Sequence, residues 1–149
     1  MSIMTTLHTH KWEILAVTVA VVLVASLVVL FLVLRRRPRK LKADRFQEKW
    51  RALQKLCASK ATWREAIVQA DALLDEALKK NRYRGRTMGE RLTKAQRTMS
   101  NNEAVWFGHK LRTKLETDPK LTPKEAEVKQ GLIGIRQALK DLGALPDDK

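Results

Sequence analysis

Residues 12–34 read WEILAVTVAVVLVASLVVLFLVL, and this apolar run limits what the chain can fold into more than any other feature. Its only charged residue is Glu13, at the very start. Wound as a helix, the 23 residues reach about 35 Å, enough to cross a hydrocarbon core of roughly 30 Å. The many valines do not argue for a strand, because a lone segment in lipid can satisfy its backbone hydrogen bonds only as a helix. A cleaved leader is the competing assignment. The length of the run, the lack of a small-x-small motif after it and the barely positive MSIMTTLHTHK before it all count against that.

Immediately after the run comes RRRPRKLK, in which Arg35, Arg36, Arg37, Arg39, Lys40 and Lys42 are basic, against a single lysine before it. The positive-inside rule then predicts residues 1–11 outside and the C-terminal part in the cytoplasm, in a plasma or inner membrane. The expected organisation is a transmembrane helix over 12–34, a basic juxtamembrane connector over 35–45, a helical bundle over 46–145 and a frayed tail, 146–149. Ala16/Ala20 and Ala25/Ser26 would permit close helix approach within the membrane, although no GxxxG is present.

Charge divides the rest into blocks. Residues 35–60 hold eleven basic and two acidic side chains, and residues 79–97 hold eight and one. Both blocks suit phosphate, of lipid head groups or of nucleic acid, and the first adjoins the membrane, so its expected partner is anionic lipid. The single cysteine, Cys57, excludes an internal disulfide and falls on the apolar stripe Phe46, Trp50, Leu53, where a small buried hydrophobe is expected. His8 and His10 supply two metal ligands at most, so no metal site and no cofactor are expected.

After residue 38 apolar residues recur at helical spacing and nowhere alternate as in a strand. The stripes are Phe46/Trp50/Leu53/Cys57; Trp63/Ala66/Ile67/Ala70/Leu73/Leu74/Ala77/Leu78; Met88/Leu92/Ala95/Met99; Ala104/Phe107/Leu111/Leu115; and Val128/Leu132/Ile135/Leu139/Leu142. Ser or Thr followed three residues later by Glu marks four starts: Thr62/Glu65, Thr87/Glu90, Ser100/Glu103 and Thr122/Glu125, the last with Pro123 in the first turn. Gly85, Pro119 and Gly143 with Pro146 mark stops. The fold class is therefore all-α: one transmembrane helix, then a small bundle of four to five helices, the third merging with the fourth through a kink near Ser100.

Two stretches invite a functional reading. KKNRYRGR places Lys79, Lys80, Arg82, Arg84 and Arg86 around Tyr83 and a Gly turn, a composition that clamps phosphate and stacks on bases, and equally one that suits an exposed connection. WFGHKLRTKLETDP sets His109 three residues after Trp106 and three before Arg112, with Glu116 a turn beyond Arg112. No second histidine, cysteine or acid pair completes a nucleophile, base and orienter set, so a histidine packed on a tryptophan at the core boundary is expected. Asp71, Asp75 and Glu76 are a candidate cation site, with a solvated face beside the basic blocks the expected reading.

The order W-x-E-A-I-x-x-A-D-x-L-L-D-E-x-L (Trp63–Leu78), Y-x-G-x-T-M-G-E-R-L (Tyr83–Leu92) and V-W-x-x-H-K-L-R (Val105–Arg112) resembles a group of small, uncharacterised bacterial helical-domain proteins, many of them membrane-anchored. The last piece is similar to the HEPN-type bundles, in whose catalytic members a helix-borne Arg, usually followed by Asn, precedes a His. The resemblance places Arg112 at the Arg, Thr113 where Asn is usual and Thr117 where the His is expected; His109 lies on the wrong side of the Arg. It implies a degenerate bundle, with dimerisation, rather than nuclease activity. The expected function is a membrane-anchored, non-catalytic protein-interaction module with a lipid-facing basic patch, its partner a protein or a second copy. The alternative is a membrane-tethered HEPN-like RNA-binding protein or ribonuclease using residues 79–86 and Arg112.

Overall fold

The computed structural model describes residues 3–35 and 41–147, with side chains described from 12 to 32 and from 41 to 147. All regular structure among the described residues is helical. The chain divides into two units, 1–37 and 38–149. The first is a single helix, α1 (Ile3–Arg35), whose side chains from Trp12 to Leu32 are all exposed.

Among its described residues the second unit contains five α-helices, α2 (Ala43–Leu56), α3 (Trp63–Lys80), α4 (Met88–Ala95), α5 (Asn102–Thr117) and α6 (Glu125–Asp141), with a 3-10 turn, Lys60–Thr62, leading into α3. Helix α3 is the hub and packs on each of the other four. Its sequence allows this, since Ala66, Ile67, Ala70, Leu73, Leu74, Ala77 and Leu78 are all buried and leave little of its circumference polar. Phe46, Trp50 and Leu53 of α2 cover one flank of it, and Leu92 and Ala95 of α4 another.

Helices α5 and α6 form an antiparallel hairpin, because Gly134 meets Ala104 while the earlier Gly131 meets the later Gly108. Glycine and alanine at the crossing bring the two backbones into contact. The core face of α5 is Val105, Gly108, Leu111 and Leu115, rotated from the expected stripe; Ala104 and Phe107 are only partly buried. The correction has a physical reason. Gly108 carries no hydrophobic signal, yet its missing side chain is what admits α6.

Several helix starts differ from the expected boxes. Thr87 does cap α4, accepting from the Glu90 N–H, while the Glu90 carboxylate reaches the Arg86 N–H instead of that of Thr87. Thr62 makes no cap bond; its hydroxyl donates to the carbonyls of Leu56 and Ser59. Asn101 rather than Ser100 caps α5, and Ser100 instead binds Asp141 through its N–H and hydroxyl. Helix α6 begins at Glu125, with Glu127 accepting from the Lys124 N–H, so Pro123 precedes the helix. Helices α4 and α5 stay separate, because the turn between them is closed by that Asn101 cap.

The helix ends carry two closures of the same kind. At the end of α6, Gly143 has φ 69°, its N–H bonds to the Lys140 carbonyl and the Ala144 N–H bonds to the Leu139 carbonyl. At the end of α3 the same two bonds run from Arg82 to Lys79 and from Tyr83 to Leu78. The residue in the left-handed region there is Arg82, at φ 64°, and not Gly85. An exposed L-residue in that region is strained, so Arg82→Gly is expected to raise stability by about 0.5–1 kcal/mol. Denaturant titration of the full chain in detergent, followed by tryptophan fluorescence, measures it; an unchanged or lower midpoint would contradict this account of the turn.

Candidate functional sites in the bundle

The third turn of α3 brings Asp71 to face His109 on α5. Nδ1 of the imidazole lies 3.1 and 3.2 Å from the two Asp71 oxygens, and Arg112 Nε lies 3.6 Å from one of them. Asp71 is 2% exposed, so the expectation of a solvated carboxylate face is wrong for this residue. It sits in the core-facing stripe of α3, where a buried carboxylate is retained only with partners to satisfy it. Burial pushes the Asp71 carboxyl above the ordinary carboxylate range, against the pull of His109 and Arg112. Trp106 packs edge-on against the imidazole, ring centres 5.9 Å apart at 70°, as the spacing on α5 leads one to expect. Glu116 takes the Arg112 Nη2 at 2.7 Å.

A carboxylate-held imidazole is half of a general-base arrangement. The other ring nitrogen lies near Gly89, a residue with no side chain, and among the described residues no hydroxyl or thiol bonds to it. The Thr113 hydroxyl donates to the His109 carbonyl and the Thr117 hydroxyl to the Thr113 carbonyl, so both are engaged with the backbone of their own helix. Asp71, His109, Arg112 and Glu116 form a polar seam between α3 and α5. Sequence reasoning missed the pair because 38 residues separate its members.

A second polar seam continues along α3. Asp75 holds Arg91 of α4 at 2.5 Å and Lys79 at 2.7 Å; Arg91 is 6% exposed and also donates to the Gly85 carbonyl. Glu76 binds Lys49 of α2 at 2.5 Å and Lys80 at 3.3 Å. Burial raises the Asp75 carboxyl, but hydrogen bonds from Lys79 and Arg91 outweigh it and hold the group below its ordinary 3.8. The Lys49 hydrogen bond chiefly holds Glu76 below 4.5. Both carboxylates therefore contribute stability above their unfolded pKa values, and that contribution is lost as pH falls through the lower folded values. Asp71 acts with the opposite sign, since its raised folded pKa makes ionisation costly and acidification relieves it. Glu76→Gln is expected to lower stability near neutral pH and to show a smaller deficit below about pH 4. Denaturation of both proteins at the two pH values checks this; a deficit that persists in acid would contradict it.

The basic residues of 79–86 separate into two groups. Lys79 and Lys80 are ion-paired to Asp75 and Glu76, and Tyr83 turns inward, its hydroxyl 2.6 Å from that of Thr98. Arg82, Arg84 and Arg86 are exposed and, among the described residues, make no side-chain ion pair or hydrogen bond. Of the juxtamembrane cations, Arg36, Arg37, Arg39 and Lys40 lie outside the described residues. Arg35 ends α1, and Lys42 is exposed before α2.

An apolar groove of about 510 Å³ runs between α2 and α6, with Trp50, Trp63, Val128, Leu132 and the exposed Ile133 among its lining. Cys57 also lines it, half-buried, its thiol 3.7 Å from the Leu53 carbonyl and pushed up by burial, which makes it a poor nucleophile. Among the described residues Trp50 Nε1 is the one buried side-chain polar atom without a partner. No group of three or more metal-ligating residues occurs among the described residues. Comparison with known proteins finds no matching family model and no similar curated protein or solved structure.

Proposed function

We propose that this chain is a single-pass membrane protein whose C-terminal bundle is a non-catalytic interaction module held against anionic lipid. The observation that carries the proposal is the run Trp12–Leu32: 21 residues of apolar helix, none of them buried. At about 25 cal/mol per Å² of apolar surface, such a helix is driven strongly out of water. The basic excess after it orients the bundle to the cytoplasm, and its head-group contacts add about 1 kcal/mol for each well-placed cation.

The non-catalytic part of the reading is supported by how the polar side chains are used. His109 is satisfied by Asp71, Arg112 by Glu116, and the Thr117 hydroxyl by the Thr113 carbonyl. The alternative, RNA binding or cleavage by a HEPN-like bundle, draws support from the exposed arginines at 82, 84 and 86.

Topology is tested by adding protease to intact cells that express the full chain, with the intact mass of the membrane-extracted protein measured alongside. The expected result is a bundle spared until the membrane is broken, on a protein that retains residues 12–32. Digestion in intact cells overturns the orientation, and a mass lacking the apolar run overturns the anchor. RNA cleavage lost on Arg112→Ala would replace the non-catalytic reading with the alternative.

A further inference from the structure

Three arginines occupy every second position of the α3–α4 connection, Arg82, Arg84 and Arg86, and all three are exposed. The residues between them, Tyr83 and Gly85, are partly buried and tie the connection down. The Tyr83 N–H bonds to the Leu78 carbonyl, its hydroxyl meets that of Thr98, and the Gly85 carbonyl accepts from the buried Arg91. The Arg86 N–H is held in turn by Glu90. The connection is thus fixed by three backbone bonds and one side chain, while the three guanidinium groups have no internal partner among the described residues. Arg64, Arg91 and Arg112 are by contrast engaged by carbonyls or carboxylates, and the other exposed arginines, Arg45, Arg51 and Arg97, are dispersed along helices or their ends instead of gathered on one anchored connection.

A guanidinium presents a planar fork of donors that matches a phosphate, and one already positioned loses little freedom on binding. Arg82 keeps its place in a backbone conformation that glycine would adopt with less strain, so stability alone does not account for an arginine there. Three such forks spaced along one exposed connection suit an extended array of anions. A single-stranded nucleic acid would also call for an aromatic platform, and the one aromatic side chain of the connection, Tyr83, is turned into the protein. A bilayer surface needs only the phosphates. It is also the polyanion kept at high effective concentration by a tether, since only residues 36–42 separate α1 from α2.

We propose that Arg82, Arg84 and Arg86 form a second lipid-binding surface, separate in sequence from the juxtamembrane cations, which docks the bundle on the phosphates of anionic lipid. The inference rests on the membrane reading of the chain. Its test uses the full chain in nanodiscs, either of zwitterionic lipid alone or with about one third anionic lipid. An arginine-selective reagent is applied and the rate of modification of each arginine is read by mass spectrometry. The anionic discs are expected to slow modification of Arg82, Arg84 and Arg86 about fivefold or more, and high salt is expected to reverse this. In Arg84→Gln/Arg86→Gln the protection of Arg82 is expected to vanish, as one contact is left to do the work of three. Equal rates in the two kinds of disc overturn the proposal, as does protection by added single-stranded RNA where anionic lipid gives none. A chain that does not enter the discs fails on the span itself, a result distinguishable from failure of the arginine surface.

Discussion

Gly134→Ala is expected to destabilise the bundle by about 3 kcal/mol, although alanine is the better helix former by about 1 kcal/mol. The sign is decided at the α5–α6 crossing. A Cβ on Gly134 would lie 2.5 Å from the Ala104 carbonyl carbon and 2.9 Å from the Ala104 Cβ. The obstacle is backbone, not the end of a flexible side chain, so it yields only if the helices separate. Separation would in turn disturb Gly108, whose own Cβ position is 3.0 Å from the Gly131 carbonyl oxygen and from Ile135. Gly89→Ala supplies the comparison within the same bundle. Its Cβ would meet Trp106 at 3.6 Å and the His109 Nε2 at 3.9 Å, ordinary contact distances. There the propensity gain is unopposed, and a neutral to stabilising effect of up to about 1 kcal/mol is expected. Denaturant titration of both variants in detergent gives the two differences directly. If Gly134→Ala is neutral or better, the α5–α6 crossing is not this close.

Much of this architecture could be read from spacing alone, and what could not has a consistent cause. The apolar run and the stripes of α2, α3 and α6 were legible because leucine, valine, isoleucine and tryptophan announce a buried face by themselves. Ile67, Leu74, Leu139 and Leu142 are all fully buried where the period places them. Gly108, Gly131 and Gly134 announce nothing, since their contribution is the space they leave, and that depends on which helix comes near. The helix starts at Asn101 and Lys124 were missed because several polar residues stand close together, and packing decides which of them turns toward the helix end. The same limit applied to the candidate sites. His109 beside Trp106 and Arg112 beside Glu116 are consequences of helical spacing, whereas Asp71 beside His109 requires α3 and α5 to be docked first. The arginines of 82–86 were visible as charge, but only the inward turn of Tyr83 and Gly85 separates these exposed cations from Lys79 and Lys80.

The second large effect concerns an arginine outside the apolar stripes. Arg64, in the first turn of α3, reaches the C-terminal end of α5 and donates to four carbonyls: Leu115, Asp118 at 3.0 Å, Pro119 at 3.0 Å and Leu121 at 2.6 Å. The last carbonyls of a helix have no partner of their own and stand at the negative end of its dipole. The loop after α5 also brings the Asp118, Pro119 and Leu121 carbonyls around the same guanidinium, the Asp118 carbonyl taking the Leu121 N–H as well. One planar guanidinium answers both needs and fixes the angle at which the α5–α6 hairpin joins α3. Arg64→Met keeps most of the stem and removes the donors, and is expected to cost about 2–3 kcal/mol; the outer carbonyls can recover part of the loss from water. Arg64→Lys is expected to fall between, because an ammonium supplies the charge without the fork. Unfolding of the full chain in detergent measures the loss, and hydrogen exchange over residues 118–124 locates it. A cost below about 0.5 kcal/mol for Arg64→Met, the range of an ordinary surface substitution, would mean that these four bonds do not hold the hairpin to α3.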